Sequence, residues 1–230
     1  HYANAVDGIG LWKSEAFLLT RLFHPEQRIL ELGCGAGRIT FGLRALGFER
    51  IVALDYSEAM IRLATMIADR KRVPQEFRVG DATDLGEFAD ASFDGAIFGF
   101  NGLMQIPGWE RRLAAIEEIF RVLRPGSAFF FTTHDRENRK HRRHWKRDAK
   151  AWREGRQHPD CDEFGDRIGE TEWGDMYIHI PTREEIEQSS AEAGFRLVSC
   201  QKRAEIANET AAVRSFSDEC LMWVLKKPQP

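Results

Sequence analysis

The residues best suited to hold a ligand are a glycine-rich turn and two aspartates. Glu31-Leu32-Gly33-Cys34-Gly35-Ala36-Gly37-Arg38 lies between an apolar run and a helical pattern. Residues without bulk let a backbone approach a ligand closely, and a helix N-terminus behind such a turn favours polar ligands. Asp55 closes the apolar run 50–54, and Asp81 closes the run 77–80. A carboxylate at the end of a second strand can accept both hydroxyls of a ribose. A carboxylate with a neighbouring amide, as in Gly80-Asp81-Ala82, can hold the edge of an adenine. The turn by itself also fits a tight bend with no ligand. In the dinucleotide fingerprint the third glycine would fall where Arg38 stands. A side chain there crowds the helix against the sheet, which argues against a nicotinamide oxidoreductase.

Three further side chains can orient a substrate or move a proton. Asn101, in Phe98-Gly99-Phe100-Asn101-Gly102-Leu103-Met104, both donates and accepts hydrogen bonds, although it can equally cap a turn. His134, in Thr133-His134-Asp135, titrates near neutrality and can act as a base. His179, in Tyr177-Ile178-His179-Ile180-Pro181, is a weaker candidate of the same kind. A structural role is the alternative for each. The cysteines at 34, 161, 200 and 220 form no C-x-x-C pair, and no histidine pair has ligand spacing, so no metal site is expected.

These residues need a scaffold, and the apolar pattern supplies one. Strands are expected at 28–32, 50–54, 77–80, 93–98 and 127–133. Helices are expected from the glycine turn to Leu46, over 58–71 behind Ser57, and over 109–123. Such alternation predicts an α/β fold whose doubly wound, mostly parallel sheet is covered on both faces. Residues 134–175 break the alternation, carry no strand signal and form an insertion. A helix with a capping box at Thr182 and Glu185 follows and ends at Gly194. Strands at 195–199 and roughly 214–226, with no helix between them, then predict an antiparallel last strand.

Within the insertion, 136–156 reads as a basic amphipathic helix with His141, Trp145, Ala149 and Trp152 at helical spacing. An acidic stretch from Asp160 to Asp175 follows. A solvated helix packing its aromatic stripe, a lid over a substrate site, and an RNA or membrane-surface contact are the three readings. The chain has 230 residues, 43% hydrophobic and 30% charged, with a net charge of −3. That fits one globular domain over 1–230 with an inserted segment at 134–175, and not a polybasic nucleic-acid binder. No apolar stretch reaches the ~20 residues of a membrane span. Unpaired cysteines fit a reducing, cytoplasmic setting. Oligomeric state is not legible.

Five segments together resemble the motifs of class I S-adenosylmethionine-dependent methyltransferases. They are Ile29-Leu30-Glu31-Leu32-Gly33-Cys34-Gly35-Ala36-Gly37-Arg38, Val52-Ala53-Leu54-Asp55, Gly80-Asp81-Ala82, Phe93-Asp94-Gly95-Ala96-Ile97 and Leu123-Arg124-Pro125-Gly126. The resemblance implies a seven-stranded Rossmann-like methyltransferase fold, in which the insertion after the fifth strand would sit over the methyl-accepting site as a helical lid. It implies S-adenosylmethionine as cofactor and S-adenosylhomocysteine as product. By position it implies that Glu31 orders the loop or holds the cofactor's amino group, that Gly33, Cys34 and Gly35 line its methionine part, and that Asp55 binds its ribose. Asp81 and Ala82 would hold the adenine and Tyr56 and Met60 pack on its face, with core packing as the alternative for the last two. Tyr2 and Trp12 would fold over the cofactor, with plain packing as the favoured reading for Trp12, and Arg38 and Phe100 complete the contact set. The expected activity is methyl transfer to a small molecule by in-line displacement under the lid. An RNA-modifying enzyme using the helix 136–156 and a non-catalytic cofactor-binding module are the alternatives. The absence of a Pro-rich or acidic motif at Asn101-Gly102-Leu103-Met104 disfavours nucleic acid as the acceptor.

Overall fold

A computed structural model describes residues 5–171 and 174–229. Tyr2, one of the expected cofactor contacts, lies outside them. Strands β1 (Ile29–Leu32), β2 (Ile51–Asp55), β3 (Glu76–Val79), β4 (Phe93–Phe98) and β5 (Leu123–His134) alternate with α2 (Arg38–Ala45), α3 (Glu58–Lys71) and α4 (Trp109–Val122). Helix α1 (Lys13–Leu22) precedes them. The seven-stranded sheet runs β3-β2-β1-β4-β5-β9-β8, where β8 is Arg196–Lys202 and β9 is Cys220–Lys226. β9 is antiparallel to both of its neighbours, and the other pairings are parallel.

Both faces of this sheet are buried, so its strands read as continuous apolar runs. Period-two alternation nevertheless sorts their side chains. Leu30, Phe98, Phe129 and Phe131 join one core with Ile116 and Ile119 of α4. Ile29, Ile97 and Phe130 join the other with Leu19 of α1 and Leu43 of α2. Each fully buried Phe contributes about 2–3 kcal/mol relative to exposure. Trp223 of β9 stacks on Phe131 at 6.0 Å and donates its indole N–H to Thr133 Oγ1 at 2.9 Å, so its one polar atom is satisfied.

Three expectations need correction. First, the insertion contains strands. Its helix α5 spans only Arg142–Arg153, after a 3-10 turn at Arg139–His141. A two-stranded hairpin of β6 (Asp166–Thr171) and β7 (Gly174–His179) follows. Acidic residues hide the period-two signal there, although Ile168 and Ile178 still alternate with polar neighbours. Second, the last strand begins at Cys220, not near 214, because Ala211–Phe216 is helix α8, capped by Thr210. Third, α8 and a short helix α7 (Arg203–Ile206) do lie between β8 and β9. β9 is antiparallel all the same, because it inserts between β5 and β8. Helix α6 (Arg183–Glu192) has the expected capping box of Thr182 and Glu185.

Candidate active site

The glycine turn joins β1 to α2 with Gly33, Gly35 and Gly37 all at positive φ. At Gly33, with φ +59°, a Cβ would sit 2.6 Å from the Phe98 ring, so only glycine fits. At Gly35 a Cβ would meet nothing within 4 Å, because that side of the turn faces an open cavity. The cavity measures about 470 Å³ and lies beyond the carboxyl ends of β1, β2 and β4, within the range of small-molecule sites. Gly33, Gly35, Asp55, Tyr56, Met60, Asp81, Ala82 and Phe100 all line it. Tyr56 is 78% exposed and Met60 is partly exposed, so both belong to the cavity wall and not to the core.

Asp55 is held in place before any ligand arrives. Its Oδ2 accepts from Gly35 N at 2.7 Å and its Oδ1 from Ser57 N at 2.8 Å. Each oxygen keeps a further lone pair, so two hydroxyls can still be accepted. Asp81 Oδ1 accepts from the Thr83 amide and hydroxyl, and its Oδ2 is 3.4 Å from Arg111. Arg111, Gln105, Ile106 and Pro107 also line the cavity; they fall just past the segment after β4 that the sequence singled out.

Glu31, Cys34 and Arg38 stand one layer behind. With Gly33, Gly35 and Phe100 they line a recess of about 50 Å³ beneath the turn. Burial pushes the Glu31 carboxyl up to about 8, against the Thr40 hydroxyl bond and the Arg38 charge. Burial also pushes the Cys34 thiol up, and its side chain packs with Ala53 and Ile61. The guanidinium of Arg38 is spent on Glu15, at 2.6 and 2.7 Å, and on Gly10 O at 2.9 Å. It anchors α1 to the turn. Trp12 is 1% exposed and lies behind the cavity wall, its ring edge-on to Phe100 at 5.9 Å.

Phe100 and Asn101 are consecutive non-glycine residues at φ +51° and +60°. Such backbone costs about 1–3 kcal/mol per residue and is characteristic of functional sites. The Asn101 amide N–H donates to Thr132 Oγ1 at 2.8 Å, which helps hold the strained turn. The Asn101 side chain is buried, with Nδ2 3.3 Å from His134 Nε2 and Oδ1 without a partner. Burial, aided by His141 and opposed by Asp218, lowers the His134 pKa below its ordinary 6.5, so the ring is neutral at pH 7.

His134 lines a second cavity, of about 370 Å³, roofed by the insertion. Its lining mixes apolar Trp145, Ile168, Met176, Ile178 and Ile180 with polar groups that include His134, Asp135, His141, Arg167, Asp218 and Glu219. Asp218 and Glu219 lie more than 80 residues from His134 in sequence and carried no motif, so only the closure of β9 on β5 reveals them. Asn101 therefore joins the two cavities, since its neighbours Phe100 and Gly102 line the first and its side chain meets His134 of the second.

His179 is in neither cavity. It is 2% exposed, with Nδ1 2.7 Å from Asp166 Oδ1 and Nε2 3.4 Å from Glu185 Oε2. Glu163, Asp166 and His179 bring ligand-type atoms within 4.8 Å of one another. Protein donors already fill those carboxylates: Arg112 and Trp109 N at Glu163, and Tyr177 and two backbone amides at Asp166. The cluster ties the insertion to α4 and α6, and His179 is a structural link there.

The sequence of residues 30–131 matches the family described as "Methyltransferase domain". A demethylmenaquinone methyltransferase of Leptospira interrogans is 38% identical over 112 residues, 46% of this chain and 43% of that protein. A ubiquinone biosynthesis O-methyltransferase of Xanthomonas campestris is 28% identical over 120 residues, 52% of this chain and 48% of that protein. The chain thus matches less than half the length of these curated relatives. The crystal structure of an S-adenosylmethionine-dependent methyltransferase from Methanosarcina mazei superposes with a TM-score of 0.72 at 22% identity, covering 93% of this chain and 98% of that one. The turn of Gly33 and Gly35, the pre-held Asp55 and the open cradle between them fit that cofactor. With the motif order and the β9 insertion, they agree with the match of residues 30–131 to the methyltransferase-domain family and with the resemblance to class I S-adenosylmethionine-dependent methyltransferases.

Proposed function

We propose that the protein transfers the methyl group of S-adenosylmethionine to a hydroxyl of a small, largely apolar acceptor held in the cavity under the insertion. The observation that carries this reading is the Asn101–His134 contact, which joins a cofactor-shaped cavity to a second one. The bound cofactor supplies a methyl group already activated by a positively charged sulfur. The chain's own task is alignment, exclusion of water and removal of one proton. Asp55 and Asp81 hold and orient the cofactor's polar parts, while Tyr56 and Met60 cover it. Phe100 and Asn101 fix the boundary between the cavities. The insertion roofs the acceptor and keeps water out.

The proton goes to His134. Asn101 occupies Nε2, so Nδ1 is the ring nitrogen left to exchange a proton. As placed, Asn101 Nδ2–H donates to Nε2 and the ring proton is on Nδ1. Turning the Asn101 amide over lets its Oδ1 accept from Nε2–H instead, which leaves Nδ1 the lone pair that takes the acceptor's hydroxyl proton. This pairing also satisfies the orphaned Oδ1. The relatives' names, which include small quinone precursors and an O-methyltransferase, support a small hydroxylated acceptor.

The test is transfer of labelled methyl from S-adenosylmethionine into an extract separated into small molecules, RNA and protein. Label is expected in the small-molecule fraction. Asp55→Ala loses two charge-assisted hydrogen bonds, so cofactor binding should weaken about 10²-fold or more. His134→Gln should bind cofactor normally and lower turnover by about 10²–10⁴-fold. Because the His134 pKa lies below 6.5, the wild-type rate should hold down to that pH and fall only beneath it. Label in RNA, or full turnover by His134→Gln, would defeat the reading.

A further inference from the structure

Helix α5 carries a charge pattern that the fold does not use. Between Arg139 and Arg153 the chain has eight Lys or Arg residues and one acid, Asp148, although its net charge is −3. Asp148 is already engaged by His144 and Arg167. No carboxylate of the described residues pairs with Arg139, Lys140, Arg142, Arg143, Lys146 or Arg147, and all six are exposed. Arg142, Arg143, Lys146 and Arg147 stand three and four residues apart along α5, a spacing at which like charges repel and weaken the helix, and Arg139 and Lys140 add to them from the 3-10 turn just before it. A short helix that bears this repulsion unrelieved is built to be neutralised by something outside the chain.

Its other side is fixed. Trp145 and Trp152 each meet Phe164 edge-on at 6.0 Å, and the Arg136 guanidinium lies 5.3 Å from the Trp145 ring. The helix is therefore held with its cations outward over the second cavity, whose lining includes Trp145 and Met176. Phe164 and Met176 are also among the large apolar side chains left exposed, at 38% and 40%.

We propose that this face docks on the surface of an anionic lipid bilayer. The outward cations supply the attraction. Charge complementarity demands a polyanion, and two observations favour lipid over nucleic acid. Single-stranded nucleic acid is held by open aromatic ring faces, whereas Trp145 and Trp152 are turned inward against Phe164. The cavity behind the helix includes Trp145, Ile168, Met176, Ile178 and Ile180 in its lining, which suits a partly apolar compound drawn from a bilayer. Docking in this way does not depend on methyl transfer, so its test is a binding measurement.

The full chain is sedimented with vesicles of phosphatidylcholine alone and of phosphatidylcholine mixed with phosphatidylglycerol, at low and at high salt. Binding should require the anionic lipid and weaken with salt, since exposed charges are screened beyond about 8–10 Å. Each Lys or Arg near an anionic surface strengthens binding about fivefold. The variant R142Q/R143Q/K146Q/R147Q should therefore bind at least 10²-fold more weakly while still binding S-adenosylhomocysteine, which shows that it is folded. A control with four exposed cations changed elsewhere, R21Q/R62Q/R196Q/K226Q, should keep most of the binding. The proposal is overturned if anionic vesicles are not bound, or if the α5 variant binds them as well as the control does. It is equally overturned if a single-stranded RNA oligonucleotide is held more tightly than the vesicles at the same salt.

Discussion

Glu31 sits directly beneath the glycine turn, buried and bonded to the Thr40 hydroxyl. Folding raises its pKa from 4.5 to about 8, so the native state holds a proton that the unfolded chain releases. Its contribution to stability is complete below about pH 4.5 and is lost as the pH rises toward 8. Glu31→Gln keeps the shape and removes the titration. The variant should lose the part of the pH dependence between pH 5 and 8 and gain stability over the wild type at the upper end, on the order of a few kcal/mol. Urea denaturation across that range checks this; parallel curves for the two proteins would refute it. At this scale the sequence was informative for backbone-driven features and poor for side-chain surroundings. Asp55 and Gly35 were legible because a strand end and a tight turn fix them locally. The link of His179 to Asp166 and Glu185 was not, since an isolated histidine carries no sign of which carboxylates will face it.

Among the elements, α1 shows how distant parts of the chain hold the turn. Its N-cap position is Trp12, which has no oxygen to offer the first amides. Glu209 does this instead, accepting from Ser14 N at 2.8 Å and from Lys13 N at 3.1 Å. A carboxylate there also meets the positive end of the helix dipole. Glu15 in the same first turn holds Arg38, and both are buried. Removing one partner of such a pair strands the other charge, so Glu15→Ala should cost about 3–5 kcal/mol. It should also weaken cofactor binding, because Arg38 begins the helix behind the glycine turn. Thermal unfolding and S-adenosylhomocysteine titration read the two effects. Loss of stability with unchanged affinity would separate α1 from the site. The alternating strands and helices up to β5 were readable because each buries a periodic face. The hairpin β6–β7 was not, because β7 is exposed or half-buried along most of its length and its acids mask the alternation.

Across the whole molecule, the class of sheet followed from its repeated strand–helix units, whereas the position of β9 depended on contacts far apart in sequence. β9 lies between β5 and β8, pairing Phe130 with Val224 on one side and Cys200 with Trp223 on the other. A chain ending at Glu219 would lack both ladders and Trp223. It should fail to unfold cooperatively, as judged by calorimetry; a sharp transition in that truncation would show that β1–β5 are stable alone. The same placement has a consequence for synthesis. A ribosome releases β5 long before β9, so the Phe129–Phe131 segment waits with an open edge until β9 emerges, and β8 cannot dock meanwhile. An apolar strand left unpaired in this way invites a wrong partner. The nascent chain is therefore most at risk of aggregation between the release of β5 and the release of β9, and the demand for chaperones should peak there.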